Sequence, residues 1–137
     1  MSNISTGAIH HLMLTVSDIS QTRTFYNEIL GMEVVAENPD GSTIAFSNGS
    51  LLLAARLPFD PTQTPANDRF SEHRMGLDHL SLSVGSRADL ETAIEVFDTH
   101  QVSHGEIKDL SPNGFPFLVL AFRDPDNTQL ELAAPIE

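Results

Sequence analysis

His11-Leu12-Met13-Leu14-Thr15-Val16 returns 68 residues later as His79-Leu80-Ser81-Leu82-Ser83-Val84, about half a chain length on. Both stretches alternate with period two. Leu12, Leu14 and Val16 fall on one face and His11, Met13 and Thr15 on the other; Leu80, Leu82 and Val84 likewise stand opposite His79, Ser81 and Ser83. Alternation of this kind marks a half-buried β-strand. Each half of the chain therefore opens with a strand whose histidine faces away from its apolar side.

A helix is expected after each strand. Ser86 is a candidate N-cap with Asp89 three residues on, and Leu90, Ala93, Ile94 and Phe97 follow at helical spacing. In the first half Ser17 or Ser20 is the expected cap, and Phe25, Tyr26, Ile29 and Leu30 form the apolar stripe that stops at Gly31. Three short strands then fit each half, at about 32–37, 42–47 and 50–57, and at about 103–108, 116–122 and 128–133. Turn sequences separate them: Pro39-Asp40-Gly41, Asn48-Gly49, Pro112-Asn113-Gly114 and Asp124-Pro125-Asp126-Asn127. The fold class is thus α+β, a βαβββ unit used twice.

Residues 58–75 join the halves, carry Pro58, Pro61 and Pro65, and show no sustained period. A connection of this length points to a working segment, either a flap over a pocket or a tether that lets modules pair across chains. At 137 residues the whole chain, 1–137, is expected to be a single domain: one module over about 8–57, the linker over 58–75, a second module over about 76–134.

Composition excludes several classes. Nineteen acidic against seven basic side chains give a formal charge of −12, which repels nucleic-acid phosphates and anionic membranes. No apolar run reaches the length of a membrane span, and the opening Met1-Ser2-Asn3-Ile4-Ser5-Thr6-Gly7 lacks the regions of a signal peptide. A cytoplasmic protein is expected. With no cysteine there is neither a disulfide nor a thiolate metal site.

Matching the last strand of each half sets Leu51-Leu52-Leu53-Ala54-Ala55 against Leu130-Glu131-Leu132-Ala133-Ala134, so Glu131 stands where the first copy has Leu52. Glu131 alternates with leucines and faces the other way from them. His11, His79 and Glu131 together form a two-histidine, one-carboxylate set, the composition of an open-sided site for Fe(II) or Mn(II), and also of catalytic zinc. A lone strand histidine is usually structural; repetition at equivalent positions, with a carboxylate added, is not what a structural role requires. His10 faces the other way and aligns with Asp78, and His73, His100 and His104 fall in linker, helix end and loop, where solvated or capping roles suffice. Phe25 and Tyr26 read as helix core, and Arg123 as part of a turn with a secondary candidacy for anion contact.

These residues resemble the vicinal oxygen chelate superfamily, which includes glyoxalase I, extradiol dioxygenases, fosfomycin-resistance thiol transferases, methylmalonyl-CoA epimerase and bleomycin-binding proteins. The carriers are the run from His11 to Asp18, Phe25-Tyr26 with Leu30-Gly31, the run from His79 to Val84, and Asp124-Pro125-Asp126 leading to Leu130-Glu131-Leu132. The resemblance implies paired modules whose mixed sheets curl into a cup around a divalent metal (Fe, Mn, Ni or Zn). His11, His79 and Glu131 would be the ligands, with a small-molecule substrate bound through vicinal oxygens. It further implies a homodimer in which chains exchange modules, His11 coming from one and His79 and Glu131 from the other, with no nucleic-acid or membrane partner. The departures narrow the chemistry. Glyoxalase I-like members carry a fourth ligand, a glutamate, where this chain has Leu52, so standard glyoxalase I chemistry would need Glu131 as both ligand and base. Members that carry out extradiol ring cleavage are usually twice as long, and thiol transferases offer a cationic pocket that one lysine and six dispersed arginines do not supply. The expected function is a metal-dependent enzyme of lyase, isomerase, dioxygenase or thiol-transferase type. The alternative is a drug- or metabolite-sequestering protein of the bleomycin-binding type, without catalysis.

Overall fold

The computed structural model describes residues 2–136, which divide into two compact units, one ending at Pro65 and the other beginning at Ala66. The first contains β1 (Leu12–Thr15), α1 (Ile19–Arg23) extended by a wider π-type segment (Thr24–Ile29), β2 (Glu33–Glu37), β3 (Thr43–Ser47) and β4 (Leu52–Arg56). The second contains β5 (Leu80–Ser83), α2 (Arg87–Thr99), β6 (Lys108–Asp109), β7 (Phe117–Arg123) and β8 (Gln129–Pro135). Their four-stranded sheets have corresponding orders, β1-β4-β3-β2 and β5-β8-β7-β6. The fold is α+β, two βαβββ modules. In each sheet the first strand runs parallel to the last, because the helix carries the chain across before the three hairpin-linked strands return. The alternation expected of β1 and β5 is present, with the leucines half-buried and the residues between them exposed.

The helices cover the apolar faces. In the first unit α1 lies on β3 and β4, and Tyr26, Ile44, Phe46 and Leu53 are fully buried. In the second, α2 lies on β7 and β8; Phe97 stacks on Phe122 with ring centroids 4.5 Å apart. Ser86 caps α2 as expected, its side chain accepting from the Asp89 amide. The cap of α1 is Asp18, not Ser17 or Ser20: its extended backbone places the carboxylate 2.9 Å from the Gln21 amide. A carboxylate at the positive end of a helix gains charge as well as a hydrogen bond. Gly31 ends the helical run at φ 72°, a conformation that costs a residue with a Cβ.

One expected strand is mostly absent. Of 103–108, only Lys108 joins the sheet, within β6, while His104 makes an isolated bridge to Phe122. Pairing with β7 persists at Ser103, whose carbonyl accepts from the Arg123 amide at 3.1 Å, and at Gly105, whose amide donates to the Ala121 carbonyl at 2.9 Å. The Gly105 carbonyl instead accepts from His104 Nδ1 at 2.7 Å, while His104 Nε2 donates to the Asp98 carboxylate at 2.7 Å. The same ring thereby ties the end of α2 to the sheet. Asp98 first, then the Gly105 carbonyl, raise the His104 pKa above its usual 6.5. A raised folded-state value stabilises the fold below the unfolded pKa and loses that contribution as pH rises through the folded one. His104→Gln should therefore destabilise the protein more at pH 6 than at pH 9, read from urea unfolding at both values; an equal loss at both would contradict a charged His104.

A candidate metal half-site in the second unit

Strand pairing surrounds Glu131 with small residues on one face of the second sheet. Glu131 lies opposite Ser81 on β5 and Ala121 on β7, and Ala133 opposite Ser83 and Val119. The other face holds Leu120, Phe122, Leu130 and Leu132, buried against α2. A period of two sends Glu131 to the face with short neighbours, which leave its carboxylate partly open at 17% exposure. His79 stands one residue before β5 on the same side as Ser81. Its Nε2 reaches 3.7 Å from Glu131 Oε1, too long for a hydrogen bond. That separation is close to the roughly 3.4 Å between two ligands each about 2.1 Å from one tetrahedral ion. His79 and Glu131 are thus a candidate pair for a shared cation.

A chain of polar contacts stands behind His79. Its Nδ1 lies 2.7 Å from Asp78 Oδ1, and Gln129 Nε2 donates to the Asp78 carbonyl at 3.0 Å and to its Oδ1 at 3.1 Å. The Gln129 side-chain oxygen in turn accepts from Arg123 Nη2 at 3.2 Å. Arg123 grips Glu72 with both terminal nitrogens, at 3.1 and 2.6 Å, and donates to the Asn127 carbonyl at 3.2 Å. Glu72 belongs to the connecting segment, which is pinned here: the Phe70 amide donates to the Asp126 carbonyl at 2.9 Å, and Asn127 Nδ2 to the Phe70 carbonyl at 3.0 Å. Arg123, read from sequence as a turn residue, is the centre of this anchor. Composition gives no sign of it, because its partner is 51 residues away.

In the first unit His11 precedes β1 as His79 precedes β5. Its Nδ1 lies 2.9 Å from Nδ1 of His10, the counterpart of Asp78. The strand registers revise the sequence match. Leu12 pairs with Leu53 while Leu80 pairs with Leu130, so Glu131 corresponds to Ala54 and Leu52 to Gln129. The slip of two arises because the Leu-rich run of β4 and the Leu-Glu-Leu run of β8 match equally well in sequence in more than one register, and only the strand pairing selects between them. The matching position, Ala54, like Leu52, carries no acid. Among the described residues, no group of three or more His, Cys, Asp or Glu side chains is placed to hold a metal ion.

A family model, the glyoxalase/bleomycin resistance protein/dioxygenase superfamily, matches residues 8–132. The chain belongs to that superfamily. The uncharacterized protein YaeR of Escherichia coli K12 is 27% identical over 132 residues, covering 90% of this chain and 93% of its own. The glyoxylase/bleomycin resistance protein/dioxygenase domain from Frankia sp. EAN1pec superposes with a TM-score of 0.79 at 31% identity, over 97% of this chain and 95% of that one. Lactoylglutathione lyase from Agrobacterium tumefaciens superposes at 0.71 with 22% identity over 94% of each chain, a likeness of fold. No helix of this superfamily member, among the described residues, is long and apolar enough to cross a membrane.

Arg123 holds the Glu72 carboxyl at about 2, well below its usual 4.5. A depressed folded-state pKa gives stability that is complete above the unfolded value and is lost as pH falls through the folded one. The stability gap between wild type and Glu72→Gln should therefore be widest above pH 4.5, close between 4.5 and 2, and vanish below. Denaturant titrations from pH 7 to pH 2 check this; a gap independent of pH would contradict the ion pair.

Proposed function

We propose that this protein is a metal-dependent enzyme acting on a small oxygen-bearing molecule, with His11, His79 and Glu131 as ligands of one divalent cation, Fe, Mn, Ni or Zn. The observation that carries the reading is the 3.7 Å approach of His79 Nε2 to Glu131 Oε1 on the open face of the sheet, where the cross-strand neighbours of Glu131 are Ser81 and Ala121. Two ligands come from the second unit. His11, set at the equivalent place in the first, is the third, supplied across a homodimer that exchanges modules as many superfamily members of this size do.

When bound, such an ion polarises substrate oxygens and stabilises negative charge that develops on one of them. The protein's own part is to hold and to move protons. Glu131 neutralises one cationic charge and is the candidate to accept or return a substrate proton, because its counterpart Ala54 can do neither. Ser81 and Ala121 beside it leave room for a substrate above the sheet. Ala54 also disfavours an isomerisation that needs a second carboxylate at the matching strand position. It equally supports the alternative, a sequestering protein that binds its ligand without turnover.

Loaded with Fe(II), Mn(II), Ni(II) or Zn(II), the wild-type protein should take up about one ion per chain. His79→Ala and Glu131→Ala should each weaken that uptake by more than the roughly 10–100-fold typical of outer partners. Unchanged metal content and affinity in both variants would remove the proposal. Stoichiometric ligand binding to the loaded protein with no product would move it to the sequestering alternative.

A further inference from the structure

Asp78, Gln129, Arg123 and Glu72 serve neither the core nor the ligand set, yet they form one unbroken series of contacts ending on His79. We propose that this series is a positioning device: Asp78 fixes His79 as the Nδ1–H tautomer with Nε2 turned toward Glu131, and Gln129, braced by the Arg123–Glu72 ion pair, fixes Asp78. The proposal rests on the ligand reading given above and assigns to it residues outside the ligand set.

The donor and acceptor inventory carries most of the inference. A carboxylate only accepts, so a ring nitrogen 2.7 Å from Asp78 Oδ1 bears the proton. In the neutral ring the other nitrogen, Nε2, then keeps its lone pair for a ligand, and it is this atom that lies 3.7 Å from Glu131. Histidine ligands are commonly held through the second ring nitrogen in this manner. Asp78 alone, 68% exposed, would wander among rotamers. Two contacts from the Gln129 amide hold both its backbone and its carboxylate, and Gln129 can donate there because its oxygen is engaged by Arg123. Arg123 is held in turn by a two-pronged pairing with Glu72, a geometry that fixes a guanidinium in plane.

The first unit is an internal control. There the corresponding places hold His10 for Asp78, Leu52 for Gln129 and Ser47 for Arg123. The 2.9 Å contact between the Nδ1 atoms of His10 and His11 can be made with either ring as donor, so it leaves the His11 tautomer undetermined. A locked ligand in one unit and an unlocked one in the other makes the second unit the organised half of the site. The connecting segment, through Glu72, is part of that organisation.

Two variants test this. Asp78→Ala removes the acceptor at an exposed position, and Gln129→Leu copies the residue the first unit already tolerates at that place. In metal-free protein, ¹⁵N–¹H spectra of the imidazoles should show His79 as Nδ1–H in wild type and shifted toward Nε2–H in both variants. Zn(II) affinity should fall about 10–100-fold in Asp78→Ala and less in Gln129→Leu. An unchanged tautomer in both variants overturns the proposal whatever the ion does, and a shifted tautomer with unchanged Zn(II) affinity overturns its link to the ion. If wild type takes up no Zn(II), the ligand reading fails instead, and the metal-free spectra still decide the orienting series.

Discussion

The parallel pairing of the first strand with the last, repeated in each unit, is the constraint on which the rest depends. His79 and Glu131 are about 50 residues apart in sequence and meet only because β5 lies beside β8 in a fixed register. Parallel neighbours need a covering crossover, which α2 supplies, and the leucines and phenylalanines beneath it hold the register. A slip of one residue would send Glu131 into that core and Leu130 or Leu132 to the open face. The burial that stabilises the sheet is therefore the same interaction that positions the carboxylate.

The two units share this geometry and differ in chemistry rather than in architecture. The sheet orders are the same, yet where one unit has Ala54, Leu52, Ser47 and His10, the other has Glu131, Gln129, Arg123 and Asp78. Glu131, Gln129 and Arg123 share one face of the second sheet. Short neighbours keep that face open, and the segment that joins the units is tied to it through Glu72 and Phe70. A connection with no secondary-structure signal of its own thus acquires a place through side-chain chemistry at its end.

Much of this was legible in the sequence, for identifiable reasons. Period-two alternation after His11 and His79, the Ser86 cap and the turn sequences are local signals, and the elements they mark form nearly where expected. Local signals failed where a distant group intervened. Over 103–108 the pairing with β7 is reduced to an isolated bridge at His104, whose ring engages the Gly105 carbonyl and reaches back to Asp98. The match of Glu131 to Leu52 slipped by two because similar apolar runs align in more than one register, and only hydrogen-bonded pairing distinguishes them. Arg123 and Glu72 escaped notice because nothing in the sequence announces a pair 51 residues apart.

The proposed cation site takes one histidine from each unit together with Glu131. Pulsed electron paramagnetic resonance on Cu(II)-loaded protein tests it most directly by counting imidazoles at the ion, whether or not His11 comes from a second chain. The account predicts two imidazoles in wild type and one in either His11→Ala or His79→Ala. A single imidazole in wild type that persists in His11→Ala would contradict it.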